Sequence, residues 1–317
     1  MKYRSWLLIL GMTGMFAGCS GMKKGQTKPA AAQAVSERLQ LRDPFVFYDR
    51  KTDWYYTYAN NKHGIKAWRS KDLQHWEALG NVFTASENFW GKQDFWAPDC
   101  YFYKGKYYLF VTFSGTDKMR GTSVLVSDDP DKGFVPLVNA PVTPKHWMCL
   151  DASLYIDKAQ KPWLLFSREW LEVSDGEMYA QQLSSDLKTT IGAPQLLFKA
   201  SAAPWTKAIY AKEWNKEGVI TDAPFIYRMK NGRLALLWSS FDKSGKYAMG
   251  VAYAASGNIT GPWVQSATTL NADDGGHGML FHTREGKLKI SYHSPNHRGA
   301  RLTIRDVVVR KGRIVLE

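Results

Sequence analysis

The chain has 317 residues, enough for two ordinary domains or one large all-β domain, and 14% of them are aromatic, including 13 Trp and 16 Tyr. Its formal net charge of +13 is scattered through turns, at Lys104, Lys106, Lys230 and Arg233 among others. No nucleic-acid module accompanies that charge, so nucleic acid is excluded as a partner and a solvated basic surface is expected.

Residues 1–19 have the form of a bacterial lipoprotein signal. Lys2 and Arg4 give a charged start, Trp6 to Phe16 an apolar stretch too short for an ordinary spanning helix, and Ala17-Gly18 small residues before Cys19. Cleavage there leaves Cys19 lipidated, which predicts a protein on the bacterial cell envelope, periplasmic or surface-facing, with membrane contact through that cysteine. Phe16 stands where Leu is usual, and a plain secretory signal is the competing interpretation. Residues 20–38, rich in Gly, Lys, Gln and Ala, read as a flexible tether, and 39–317 as the folded domain, expected as a monomer. Loss of Lys2 and Arg4 with the signal lowers the charge from +13 to +11.

From there one design recurs five times: an aspartate or histidine opens an extended apolar run, a Gly- or Lys-built turn follows, then a dense aromatic strand. The leading residues are Asp43, Asp99, Asp151, Asp222 and His277, at intervals of 56, 52, 71 and 55. Turns such as Tyr103-Lys104-Gly105-Lys106 and Arg284-Glu285-Gly286-Lys287 place Gly where a tight hairpin needs positive φ. Ser/Asp-rich turns after most copies, as at Ser70-Lys71-Asp72-Leu73 and Ser184-Ser185-Asp186-Leu187, mark the third and fourth strands. Four strands in about 55 residues, repeated about five times, predict an all-β, five-bladed β-propeller of four-stranded antiparallel blades. The last copy is short, so ring closure is expected to borrow a strand from the segment before Asp43. The long third interval, of 71, carries an insertion, placed at Pro204 to Glu217, of the kind that forms loops on a binding face. Cys100 and Cys149 sit at +1 and −2 from their leading aspartates, on opposite faces of period-two strands, and read as buried free thiols.

Aspartates opening inner strands of different blades meet on one rim, and glycoside hydrolysis needs two carboxyl groups with separate tasks, one activating water and one protonating the leaving oxygen. A further carboxylate nearby raises the donor's pKa. Each such Asp, before Pro or a small residue, is also a plain turn cap. The ordered set Arg42-Asp43-Pro44, Trp96-Ala97-Pro98-Asp99, Asp151-Ala152-Ser153, Thr221-Asp222-Ala223-Pro224 and Gly276-His277-Gly278, with the Ser70 to Trp76 turn, resembles glycoside hydrolase family 43 over residues 39–317. That resemblance implies Asp43 as general base, Asp151 as the residue tuning the acid, and Asp222 as general acid, where the family has Glu. The shorter Asp side chain stops about 1.5 Å short, a displacement that matters for proton transfer, which leaves Glu217 or Glu169 as other acids and a weakened enzyme as another outcome. The resemblance further implies that His277 lies by a central ion, calcium above all, that Trp96 walls the sugar site, and that Arg301 contacts sugar hydroxyls. One imidazole is by itself a poor calcium ligand.

The expected activity is therefore an exo-acting, inverting glycosidase on plant-type oligo- or polysaccharide, removing α-L-arabinofuranose, with β-xylose and galactose next, and needing no nucleotide or redox cofactor. The alternative is a lipid-anchored carbohydrate-binding propeller impaired by Asp222. A protein-interaction propeller of the WD type is disfavoured, since its repeat signatures are missing.

Overall fold

Five antiparallel sheets of four or five strands follow one another along the described residues, each containing one of the expected inner runs, with a separate two-stranded sheet between the third and fourth. The computed structural model describes residues 39–317 and the backbone of Ala34 and Val35; the proposed signal and Cys19 lie outside the described residues. Blade 1 comprises Val46–Asp49, Trp54–Asn61, Gly64–Ser70 and Trp76–Thr84, with Ala34–Val35 paired on the outer edge against Trp76 and Glu77. Blade 2 comprises Gln93–Tyr103, Lys106–Ser114, Arg120–Ser127 and Val135–Pro136, and blade 3 Cys149–Ile156, Pro162–Arg168, Glu177–Leu183 and Thr190–Lys199. Blade 4 is built from Asp222–Arg228, Leu234–Phe241, Tyr247–Ala254 and Val264–Gln265, and blade 5 from Gly276–His282, Leu288–Ser294, Arg301–Arg310 and Arg313–Leu316. The fold is the expected five-bladed β-propeller.

Middle strands are covered on both faces by neighbouring blades, so they read as continuous apolar runs rather than alternating ones. Lys106–Ser114 is buried at every position but its first, and Tyr247–Ala254 throughout. The core is accordingly layered between blades: one layer joins Phe281 and Leu302 of blade 5 to Tyr55 and Tyr58 of blade 1 and Leu109 of blade 2, and another joins Leu165 of blade 3 to Leu236 and Trp238 of blade 4. Cys100 and Cys149 are buried free thiols in different layers.

Ring closure differs from expectation. The last blade has its own third and fourth strands, because Arg301–Arg310 and Arg313–Leu316 are long enough to supply them. The segment before Asp43 contributes a short ladder instead, with Leu41 N donating to Ala300 O at 3.1 Å and Leu302 N to Leu39 O at 2.9 Å.

A backbone feature defines the repeat more sharply than residue type. Asp43, Ala97, Asp151, Ala223 and His277 all adopt positive φ, between 47° and 58°. Four of them sit in β-bulges, where register shifts between Trp96 and Asp99, Leu150 and Ser153, Asp222 and Phe225, and Gly276 and Met279. Their spacings are 54, 54, 72 and 54. A left-handed residue with a Cβ costs about 1–2 kcal/mol, and bulges of this kind re-aim side chains beside functional sites. In this register Asp99 falls two residues after the bulge position and Asp222 one residue before it.

The long interval holds the expected insertion. It forms a hairpin of Ile209–Ala211 against Lys216–Gly218, capped by the short turn Lys212–Trp214. Trp205, at its start, is instead buried in the core, its ring 4.9 Å from that of Trp238.

Candidate active site

The inner strands of different blades deliver Asp43, Asp151, Asp222 and His277 into one cleft of about 350 Å³, which Trp96, Glu169, Trp170 and Tyr247 also line. The left-handed backbone at Asp43, Asp151 and His277 brings these three together: His277 Nδ1 lies 3.2 Å from Asp43 Oδ1 and 3.8 Å from Asp151 Oδ2. Blade-to-blade hydrogen bonds hold the bulges in place. Asp151 N donates to Thr112 Oγ1 at 2.8 Å, His277 N to Ser239 Oγ at 2.9 Å, and Ala223 N to Asp151 Oδ2 at 3.2 Å.

These contacts separate the protonation states of the carboxyls. Burial alone would raise Asp43, but attraction and hydrogen bonding from His277, and then from His293 with its Nδ1 3.2 Å from Asp43 Oδ1, hold it well below the usual carboxylate range. Burial pushes Asp222 up to about 6, against a hydrogen bond from Tyr247 Oη to Oδ2 at 2.9 Å and attraction from His277. Asp151 rises well above the usual range because burial prevails over its attraction to His277, with repulsion from Asp222 and Asp43 adding to the rise. For His277 burial opposes the charge, yet Asp43 and Asp151 prevail and raise it to about 10. The cleft thus sets one carboxylate kept ionised, Asp43, against two pushed toward the protonated form, Asp151 and Asp222, the kind of divergence that separates base from acid.

Of the other expected residues, Trp96 lines the cleft and is 36% exposed. Arg301 does not line it: this residue is exposed and opens the third strand of blade 5, where its backbone bridges Gln40. Arg42 lines the cleft instead, its Nε 3.9 Å from Asp43 Oδ2. Asp99 is buried beside Tyr101, whose hydroxyl donates to it at 3.2 Å, and burial raises it to about 7. Glu217 is exposed on the insertion hairpin, whereas Glu169 reaches the cleft but is clamped by Arg120, with Nη1 2.6 Å from both carboxylate oxygens. Sequence reasoning missed Tyr247, His293 and Arg120, which sit on middle strands and carry no motif.

Among the described residues no three His, Cys, Asp or Glu side chains are arranged to hold a metal ion. His277 turns Nδ1 to two carboxylates, and calcium takes six to eight oxygen ligands. The residues present do not fit direct ligation of calcium.

The sequence pattern of the glycosyl hydrolases family 43 matches residues 36–313. The chain belongs to that family. As a family 43 glycoside hydrolase it resembles an endo-arabinase from Bacteroides thetaiotaomicron, with 56% identity and a TM-score of 0.85 over 87% of this chain and 96% of that one. The extracellular endo-alpha-(1->5)-L-arabinanase 1 of Bacillus subtilis is 25% identical over 87% of this chain and 83% of its own length. The extracellular exo-alpha-(1->5)-L-arabinofuranosidase ArbA of Cellvibrio japonicus is 23% identical over 92% and 81% respectively.

Proposed function

We propose that this family 43 enzyme hydrolyses α-1,5-linked L-arabinan by a single inverting displacement, with Asp43 as general base, Asp222 as general acid and Asp151 as the group that tunes and positions the acid. The observation that carries the reading is the meeting of Asp43 and Asp222 in one cleft with opposed surroundings, two imidazoles 3.2 Å from Asp43 Oδ1 and the Tyr247 hydroxyl 2.9 Å from Asp222 Oδ2. Asp43, kept ionised by His277 and His293, takes a proton from water as the water attacks the anomeric carbon. Asp222, protonated below about 6, donates its proton to the departing glycosidic oxygen. Asp151 accepts a hydrogen bond from Ala223 N, next to Asp222 in the chain, and so fixes the backbone that carries the acid. Glu169, raised by burial against the attraction of Arg120, is the weaker candidate for the acid because one guanidinium nitrogen occupies both of its carboxylate oxygens.

Internal cleavage is supported by the two similar endo-acting proteins, and terminal release of arabinofuranose, the expectation from sequence, by the similarity to ArbA. Linear arabinan digests distinguish them: a ladder of intermediate oligosaccharides marks internal cleavage, and a single small product from the outset marks terminal release. Intact arabinan, aryl arabinofuranoside, xyloside and galactoside after prolonged incubation, with saturable sugar binding, would overturn hydrolysis in favour of a carbohydrate-binding propeller. Trp96 offers its face to the bound sugar, while Arg301 contacts only substrate that extends past the cleft.

The envelope location with a lipid at Cys19 and the monomeric state belong to this proposal, supported by the signal-like residues 1–19 and by the extracellular relatives. So does a calcium ion in the central cavity, held against His277 through water alone. No step of the reaction passes through it.

A further inference from the structure

The insertion between blades 3 and 4 adds eighteen residues to a repeat that elsewhere spaces its bulges by 54. Ring closure has no need of them, yet the hairpin is firmly seated. Val219 N donates to Ser174 O at 2.9 Å and Gly176 N to Val219 O at 2.8 Å. Gly218 packs so tightly that a Cβ there would sit 2.6 Å from the ring of Trp170, a residue of the cleft wall.

At the hairpin's tip stands Trp214, 46% exposed. Among the described residues Trp96 and Trp214 are the only exposed tryptophans, and both approach the same cation: the guanidinium carbon of Arg120 lies 4.7 Å from the Trp96 ring centre and 5.7 Å from that of Trp214. Arg120 is buried and already neutralised. Glu169 takes Nη1 with both oxygens at 2.6 Å, and Asp94 takes Nε at 3.0 Å. A separate cavity of about 410 Å³ is lined by Arg120 together with Trp90 and Asp117.

Exposed indole faces are apolar surfaces with a wet edge, suited to the C–H face of a sugar ring. Because Glu169 and Asp94 already balance the guanidinium, the site favours a neutral sugar over an anionic one. We propose that Trp96 and Trp214, set around Arg120, form a second sugar subsite, and that the inserted hairpin makes Trp214 a specificity-determining residue for the substrate chain beyond the bond being cleaved. This rests on the arabinan reading above.

The test compares the full chain with its Trp214→Ala and Trp214→Phe variants. Kinetics are measured on α-1,5-arabino-oligosaccharides and on an aryl arabinofuranoside, and oligosaccharide binding by calorimetry in an Asp43→Asn background. Trp214→Ala should lower kcat/KM for the oligosaccharide about tenfold more than for the aryl substrate and weaken oligosaccharide binding by a similar factor, with Trp214→Phe recovering most of both. Equal losses on the two substrates, or oligosaccharide binding that does not respond to Trp214→Ala, would overturn the subsite while leaving the arabinan reading intact. A parent enzyme that neither binds nor cleaves arabino-oligosaccharides overturns both.

Discussion

Removing one hydroxyl, by Tyr247→Phe, should move the alkaline limb of activity upward. Tyr247 Oη donates to Asp222 Oδ2 at 2.9 Å, a hydrogen bond that favours the charged carboxylate and so works against the burial that raises Asp222 to about 6. The ring itself stays in place in the variant, stacked on His293 at 5.6 Å and 12°, so the substitution isolates the hydrogen bond. A hydrogen bond to a charged group is worth about 1.5–3 kcal/mol and a pKa unit about 1.4 kcal/mol, so its loss should raise Asp222 by about one to two units. Because the acid must be protonated to act, kcat/KM falls as pH rises through its pKa. In the parent enzyme only about a tenth of Asp222 is protonated one unit above that pKa, while in the variant half or more would be. The assay is the pH profile of kcat/KM on arabino-oligosaccharides, whose poor leaving group makes the acid necessary. A limb that stays where it was, or moves down, would refute Asp222 as the acid and the balance of burial and hydrogen bonding assigned to it.

Three other perturbations follow from the same contacts. Asp43→Asn should cut kcat on arabinan by about 10²- to 10⁴-fold with the far-UV dichroism unchanged, and an unaltered rate would remove the base assignment. Gly276→Ala places a Cβ 2.2 Å from the Tyr247 ring, which Asp222 and His293 hold, so overpacking should cost about 1–3 kcal/mol in urea unfolding; an unchanged midpoint would show that the ring can yield. His277 is raised in the fold from 6.5 to about 10, so its share of stability is fully present below 6.5 and is lost as pH rises through 10. The urea midpoint of the parent should decline across that window relative to His277→Gln, and parallel curves would contradict the ion pair with Asp43.

The blades were legible because their signals are local. A two-residue hairpin such as Lys104-Gly105, with φ of 46° and 85°, needs only the residues of its own turn, and the continuous apolar runs of the middle strands report their own double burial. Closure was less legible because it depends on where distant strands end. Arg301–Arg310 and Arg313–Leu316 read as too little chain for a blade, yet together they complete one, and the segment before Asp43 needed to add only a short ladder.

For the site, the informative residues are those in which backbone and side-chain demands coincide. Asp tolerates the left-handed region better than most residues with a Cβ. At Asp43 and Asp151 the residue type that suits the left-handed backbone is thus also the one that brings a carboxylate into the cleft, and the repeat could be counted by the same letter. In blades 2 and 4 the demands separate: Ala97 and Ala223 take the strained backbone, and the acids stand beside it at Asp99 and Asp222. Counting by letter therefore gave intervals of 56, 52, 71 and 55, where the backbone repeats at 54, 54, 72 and 54. Only the second set isolates an insertion of eighteen residues in an otherwise constant ring. The acidity of Asp222 has a similarly remote origin. It is set by burial, which raises it, and by the hydrogen bond from a tyrosine 25 residues later that opens the third strand of the same blade, which lowers it, and neither is written beside Asp222 in the chain.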